Sequence, residues 1–235
     1  MLFHFKQFTV DQSGCAMKIN TDGVLLGALA QANNATSILD IGTGTGVIAL
    51  MLAQRFSNAE IDAVEIDVVA ARTAEKNFKN SPFRERLNLY PVGFEAYFES
   101  YPERKYDLII SNPPFYINSL TADDDKVNLA KHAGPDFFRE LVETVASQLT
   151  DNGNFWLILP LETSALVKDL AMRNGLFVQK AISVYSFTDS EAHRQMISFS
   201  RKQTNISQSS FVIYDAPKIY SEQYRQCLID FFTIF

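Results

Sequence analysis

Three short stretches of this chain hold residue types whose spacing could do chemistry. The first is Asp40-Ile41-Gly42-Thr43-Gly44-Thr45-Gly46. Glycines at 42, 44 and 46 let the backbone turn sharply and let a ligand approach closely, and a helix opening behind them offers free N–H groups. The spacing is G-x-G-x-G, not the G-x-G-x-x-G of dinucleotide enzymes. A carboxylate at Asp40 would repel a pyrophosphate but suit the ammonium of a methionine moiety. Taken alone, the stretch is as readily a bare glycine turn. The second is Glu65, about 20 residues on, where a carboxylate can accept both hydroxyls of a ribose. Asp67, two residues later, suits a helix N-cap instead.

The third stretch is Ser111-Asn112-Pro113-Pro114-Phe115. Prolines donate no N–H and push the residue before each of them into extended geometry, so the segment is stiff. It is also rich in acceptors, the Asn112 side-chain oxygen and the Pro113 carbonyl. Acceptors are what a conjugated amino group needs: its lone pair is delocalised, and hydrogen bonds from its N–H groups return density to nitrogen. Phe115 offers a flat face for a flipped base. A sulfonium is a strong methyl donor, so no strong general base is required. Together these stretches predict S-adenosyl-L-methionine bound at Gly42, Gly44, Gly46, Asp40 and Glu65, with a planar amino group methylated at Asn112, Pro113, Pro114 and Phe115.

Positioning such groups calls for alternating strands and helices, and the chain has them. Residues 37–41 form a β-like run ending at the glycines, and Val47 to Phe56 carries apolar residues at helical spacing. Strand signals follow at 61–64, 87–92 and 108–110, with a helix at 68–78. Residues 137–149 read as an amphipathic helix, and 155–159 as a strand apolar on both faces. A helix over 161–173 ends at Asn174-Gly175. The stretches 176–185 and 195–201 leave no room for a crossover helix, so they should pair antiparallel. The expected fold is α/β and Rossmann-like: a mostly parallel seven-stranded sheet with a late antiparallel strand and helices on both faces. Residues 1–235 count as one domain, with 1–35 an N-terminal extension folded onto it. Residues 119–128 are the one plausible mobile loop.

Composition narrows the partners. The 235 residues are 47% hydrophobic and 20% charged, as for a globule with a sizeable core. A formal charge of −6 excludes a generic nucleic-acid coat, because non-specific binding rests on phosphate neutralisation. Any RNA contact must then use locally gathered basic groups. Two cysteines, Cys15 and Cys227, without ligand-spaced partners argue against a structural metal or a disulfide framework. There is no signal-peptide order at the N-terminus and no membrane-length apolar run, which points to the cytoplasm. His4, His132 and His193 have no ligand-spaced partners, and Trp156 sits in an apolar run that suits the core.

With these motifs in view, the chain resembles the amino-group methyltransferases of class I, which act on adenine in nucleic acid or on protein glutamine. Phe5-Lys6-Gln7-Phe8, Cys15-Ala16-Met17-Lys18, Thr21-Asp22-Gly23-Val24-Leu25-Leu26-Gly27-Ala28 and Tyr220-Ser221-Glu222 are similar to the bacterial tRNA1(Val) (adenine(37)-N6)-methyltransferases over nearly the whole length. The resemblance implies N6 methylation of a tRNA adenine, with Thr21 and Asp22 near the methionine end of the cofactor. From the residues themselves, Thr21 and Asp22 read only as an N-cap. Such enzymes usually carry an acidic residue where this chain has Gly93. Either Glu95 replaces it, or apolar packing holds the cofactor's adenine, with Phe94 a candidate.

Alternatives are a glutamine or other nucleic-acid methyltransferase, a nicotinamide oxidoreductase, and a silent binding module. Glutamine enzymes carry an N-terminal helical domain for which 36 residues leave no room. The spacing of the glycines counts against an oxidoreductase, and the intact Asn112 motif against a silent module. A tRNA should lie across the carboxyl ends of the parallel strands. Lys126, Lys131 and His132 are expected there, joined by His193 and Arg194 from the late hairpin. Arg84 and Arg86 should lie on the opposite edge.

Overall fold

A computed structural model describes residues 1–15, 17–114 and 134–235. Its centre is a nine-stranded sheet. Parallel strands β3 (Ser37–Ile41), β4 (Glu60–Val64), β5 (Leu87–Tyr90), β6 (Tyr106–Ser111) and β7 (Leu149–Leu159) run in the order β5-β4-β3-β6-β7. Beyond β7 come β9 (Ala192–Ser200), antiparallel to both neighbours, then β8 (Phe177–Phe187), β10 (Ser207–Ala216) and β11 (Ile219–Tyr220). The late antiparallel pair is as expected. The sheet is wider than the seven strands expected, because β10 pairs parallel with β8 and β11 closes the edge. Residues 207–210 are polar and exposed, which hid β10 from a periodicity argument that needs a buried face.

Two cores lie on the two faces. One packs α1 (Thr21–Leu29), α2 (Val47–Arg55), α3 (Val68–Lys79) and α7 (Glu222–Leu228) against the sheet. The other packs α4 (Phe94–Ser100), α5 (Pro135–Gln148) and α6 (Leu161–Arg173). Residues 155–159 of β7 are fully covered on both sides, as a continuous apolar strand requires. Every residue from Val47 to Ala53 is buried, because α1 lies across the outer side of α2. Gly27 permits that approach: a side chain there would start 3.0 Å from Met51 Sδ.

The first residues are tied down at several points. Strands β1 (Leu2–His4) and β2 (Thr9–Asp11) form a hairpin, and the Lys6 amide donates to the Phe231 carbonyl. Rings of Phe3, Phe5, Phe8 and Phe232 cluster beneath it. Trp156 is core, as expected, and its Nε1 donates to the Gln31 carbonyl at 2.9 Å. The strand expected over 87–92 stops at Tyr90, and the strand expected over 155–159 begins at Leu149, across an irregularity near Gly153. The expected loop at 119–128 lies outside the described residues. Among the described residues no helix is long and apolar enough to cross a membrane.

Candidate active site

Cross-strand register brings the three motifs together. Ile41 pairs with Val64 on one side and with Ser111 on the other. Gly42, Glu65 and Asn112 are therefore each the next residue after the same level on three adjacent strands. The Ser111 hydroxyl donates to the Ile41 carbonyl at 2.8 Å, locking β6 to β3. The helix after β3, α2, packs on one face of the sheet, and α5 packs on the other. Open α/β sheets bind ligands outside the carboxyl ends of the strands where successive helices lie on opposite faces.

The glycine loop is built by its local geometry. Gly42, Gly44 and Gly46 take φ of +71°, +58° and +83°, left-handed values that favour glycine. Their surroundings differ. A Cβ at Gly42 or Gly44 would meet nothing within 4 Å, whereas one at Gly46 would lie 2.5 Å from Phe78. The first two leave a cradle for a ligand, and the third lets α3 pack against the start of α2. Asn77 fastens the loop from beneath. Its Nδ2 donates to the Thr45 and Asp11 carbonyls, and its Oδ1 accepts from the Asp11 amide. Sequence reasoning missed Asn77; a buried Asn on an otherwise apolar helix face was the available signal.

Two carboxylates face the cradle. Asp40 is wholly buried, and its Oδ2 accepts from Thr43 Oγ1 at 2.6 Å. Its Oδ1 is buried and has no hydrogen-bond partner among the described residues. Burial pushes the carboxyl up to about 7, against hydrogen bonds from Thr43 and the backbone amide of Ala49, and with help from the nearby charge of Glu65. Glu65 Oε2 accepts from the Gly44 amide and Oε1 from the Asp67 amide, each at 2.8 Å. Burial also raises its pKa. Each oxygen keeps a second lone pair for a ligand. Asp67 caps α3 through the Ala70 amide, as expected.

On the other wall stand Asn112, Pro113 and Pro114. Asn112 Oδ1 is buried without a partner among the described residues. The start of α1 lies against this side chain: a Cβ at Gly23 would be 3.6 Å from Asn112 Nδ2. The N-cap of α1 is Asn20, whose side chain accepts from the Gly23 amide at 2.8 Å, and not Thr21 or Asp22. With the cap at Asn20, the Asp22 carboxylate is left to meet Arg194 Nε at 2.8 Å. The late hairpin thus meets the start of α1, and the Arg194 charge is shared with Asp22. His193 lies next to it on β9, its pKa lowered by burial.

Phe94 is 4% exposed and stands edge-on to Phe137, so its ring belongs to the core. Glu95 instead folds back over Gly93, where a Cβ would lie 2.8 Å from Glu95 Oε2 and 3.5 Å from Ile66 Cδ1. Arg84 and Arg86 precede β5 at the opposite edge, as expected. Arg86 donates to the carbonyls of Ala53, Phe56 and Ala59, so it clamps the end of α2. Phe115, Lys126, Lys131 and His132 lie outside the described residues.

Comparison with known proteins agrees with this geometry. Residues 17–168 match the methyltransferase small domain family. The chain is 46% identical to the tRNA1(Val) (adenine(37)-N6)-methyltransferase of Pedobacter heparinus, over 99% of this chain and 98% of that one. It is 36% identical to the protein of the same description from Haemophilus influenzae, over 99% of each. The fold resembles a predicted O-methyltransferase from Agrobacterium tumefaciens at TM-score 0.66 and 15% identity, covering 89% of this chain and 96% of the other. Relatives of one description, 36–46% identical over almost the full length, and the family match over residues 17–168 place this chain in the tRNA1(Val) (adenine(37)-N6)-methyltransferase family, within the methyltransferase small domain class.

Proposed function

We propose that this chain transfers a methyl group from S-adenosyl-L-methionine to the exocyclic N6 amino group of adenine 37 in tRNA1(Val). S-adenosyl-L-methionine is the methyl donor of the class I family to which the chain belongs. The residues present suit it. Gly42 and Gly44 leave room for a close approach, the orphaned Asp40 Oδ1 suits an ammonium, and Glu65 keeps lone pairs for ribose hydroxyls. Thr21 and Asp22, in the first turn of α1, are assigned to the methionine end. Glu95 over Gly93 is the side chain best placed to accept from the adenine amino group of the cofactor. When bound, the cofactor supplies an electrophilic methyl group.

The observation that carries the reading is the buried Asn112 Oδ1 at the end of β6, which has no partner among the described residues. A buried acceptor without a donor costs about 1–3 kcal/mol, a cost relieved when an N–H arrives. Asn112 Oδ1 and the Pro113 carbonyl accept from the two amino hydrogens, which localises the lone pair on nitrogen. These hydrogen bonds strengthen as the nitrogen gains positive charge, so they act mainly on the transition state. Phe115 is assigned to stacking of the flipped base. The test is Asn112→Ala against wild type on unmodified tRNA, with product read by nucleoside mass spectrometry. The expected result is a kcat lowered at least tenfold with cofactor affinity within twofold. Full turnover by the variant, or no N6-methyladenosine from wild type, would refute the reading.

A further inference from the structure

A pocket of about 350 Å³ opens on the sheet face that carries α6, between that helix and strands β8, β9 and β10. Strand alternation creates it. On β8, Ile182 and Val184 enter the core beneath α1 and α2, which turns Ser183 and Tyr185 to the other side. On β9, Arg194 reaches Asp22 on one side and Gln195 faces α6 on the other. The lining is Lys168, Ser183, Tyr185, Gln195, Ser209 and Ser210, with further small or neutral groups and, among the described residues, no carboxylate. In a chain of net charge −6, that is an unusual local composition.

Among the described residues Lys168 is the one charge in this pocket. Its Nζ donates to Gln195 Oε1 at 2.6 Å, and the Ser164 hydroxyl donates to the same oxygen at 2.7 Å. The Gln195 amide thus holds the ammonium over the sheet. Among the described residues Lys168 makes no ion pair, so two of its three N–H groups remain for another acceptor. Burial lowers its pKa, as expected for an ammonium without a counter-charge. Packing alone would be served better by an apolar side chain. An ammonium in a pocket lined by serine and tyrosine is suited to the oxygens of a phosphate.

The pocket lies near the carboxyl ends of the parallel strands. Gln195 pairs with Leu159, the last residue of β7, and Leu157 pairs with Ser111 beside Asn112. From β6 to β8 there are three inter-strand spacings, about 14 Å, a separation that a folded RNA readily bridges. We propose that the Lys168 pocket binds a backbone phosphate of the tRNA, fixing the substrate at a second point while its base reaches Asn112. This assignment rests on the tRNA reading above.

The experiment compares wild type, Lys168→Met and Lys168→Arg. Binding of unmodified tRNA is followed by fluorescence anisotropy across 50–200 mM KCl, without methyl transfer. Loss of one phosphate contact should lower the slope of log K against log salt by about 0.7–0.9 in Lys168→Met. It should also weaken binding about fivefold, the size of one partly exposed charged contact. Lys168→Arg should keep both values, and S-adenosyl-L-methionine affinity should be equal in all three. Inorganic phosphate at constant ionic strength should compete with tRNA on wild type and fail to do so on Lys168→Met. A Lys168→Met variant with wild-type slope and affinity would overturn the proposal. Competition through Lys168 with an unchanged tRNA slope would assign the pocket to free phosphate and overturn the RNA contact. Binding that depends on Lys168 without adenine methylation would support this site while refuting the reaction proposed above.

Discussion

Replacing Asp40 by Asn should stabilise the free protein at neutral pH and weaken its hold on the cofactor. The carboxyl titrates near 3.8 when unfolded and near 7 when folded, because it is fully buried. A folded pKa raised above the unfolded one means stability is full below pH 3.8 and is lost as pH rises toward 7. About three pH units at 1.36 kcal/mol each amounts to about 4 kcal/mol by pH 8. Asn keeps the acceptor for Thr43 Oγ1 and carries no charge, so Asp40→Asn escapes this loss. Groups that do not interact with position 40 cancel between the two proteins, so the difference reports the titration of Asp40 together with its coupling to Glu65.

The assay is urea unfolding of both proteins at pH 5 and pH 8. Integrating the two titrations between these limits leaves about 2.5 kcal/mol in favour of Asp40→Asn at the higher pH, roughly 1 M in urea midpoint. Saturating S-adenosyl-L-methionine should reverse the order at pH 8, because its ammonium would pair with the wild-type carboxylate and not with the amide. A stability difference that stays constant between pH 5 and pH 8 would refute the burial argument. An unchanged cofactor affinity in Asp40→Asn would refute the role of the orphaned Oδ1.

Other substitutions test the remaining contacts. Gly46→Ala should cost at least 2–3 kcal/mol in thermal or urea unfolding, from φ +83° and from overlap with Phe78, and Phe78→Leu should recover part of it. Gly42→Ala has strain but no overlap, so calorimetry should show its larger loss in cofactor affinity. A double-mutant cycle of Asp22→Asn with Arg194→Met should give a coupling of about 1 kcal/mol in unfolding, and additivity would mean the ion pair contributes nothing. Glu95→Gln should weaken S-adenosyl-L-methionine binding about tenfold with no loss of stability, and equal affinity by calorimetry would remove Glu95 from the site.

The chain by itself determined what short windows encode. Glycine spacing, prolines and N-cap residues act over a few positions, so Asp40 to Gly46, Asp67 and Asn112 to Pro114 were legible as a turn, a cap and a stiff acceptor segment. Alternating apolar runs placed the strand ends that carry them. Tertiary structure decided what depends on sheet order and register, which no local window contains. Asp22 and Arg194 meet across 172 residues because β9 lies antiparallel beside β7, so its Arg194 emerges at the edge where α1 begins. Whether a glycine serves a ligand or a neighbouring helix depends on what lies opposite, and only Phe78 distinguishes Gly46 from Gly42 and Gly44. The same holds for Lys168, an ordinary helix lysine in sequence. Its ammonium lies among neutral groups because α6 crosses strands whose outward positions are serine, tyrosine and glutamine.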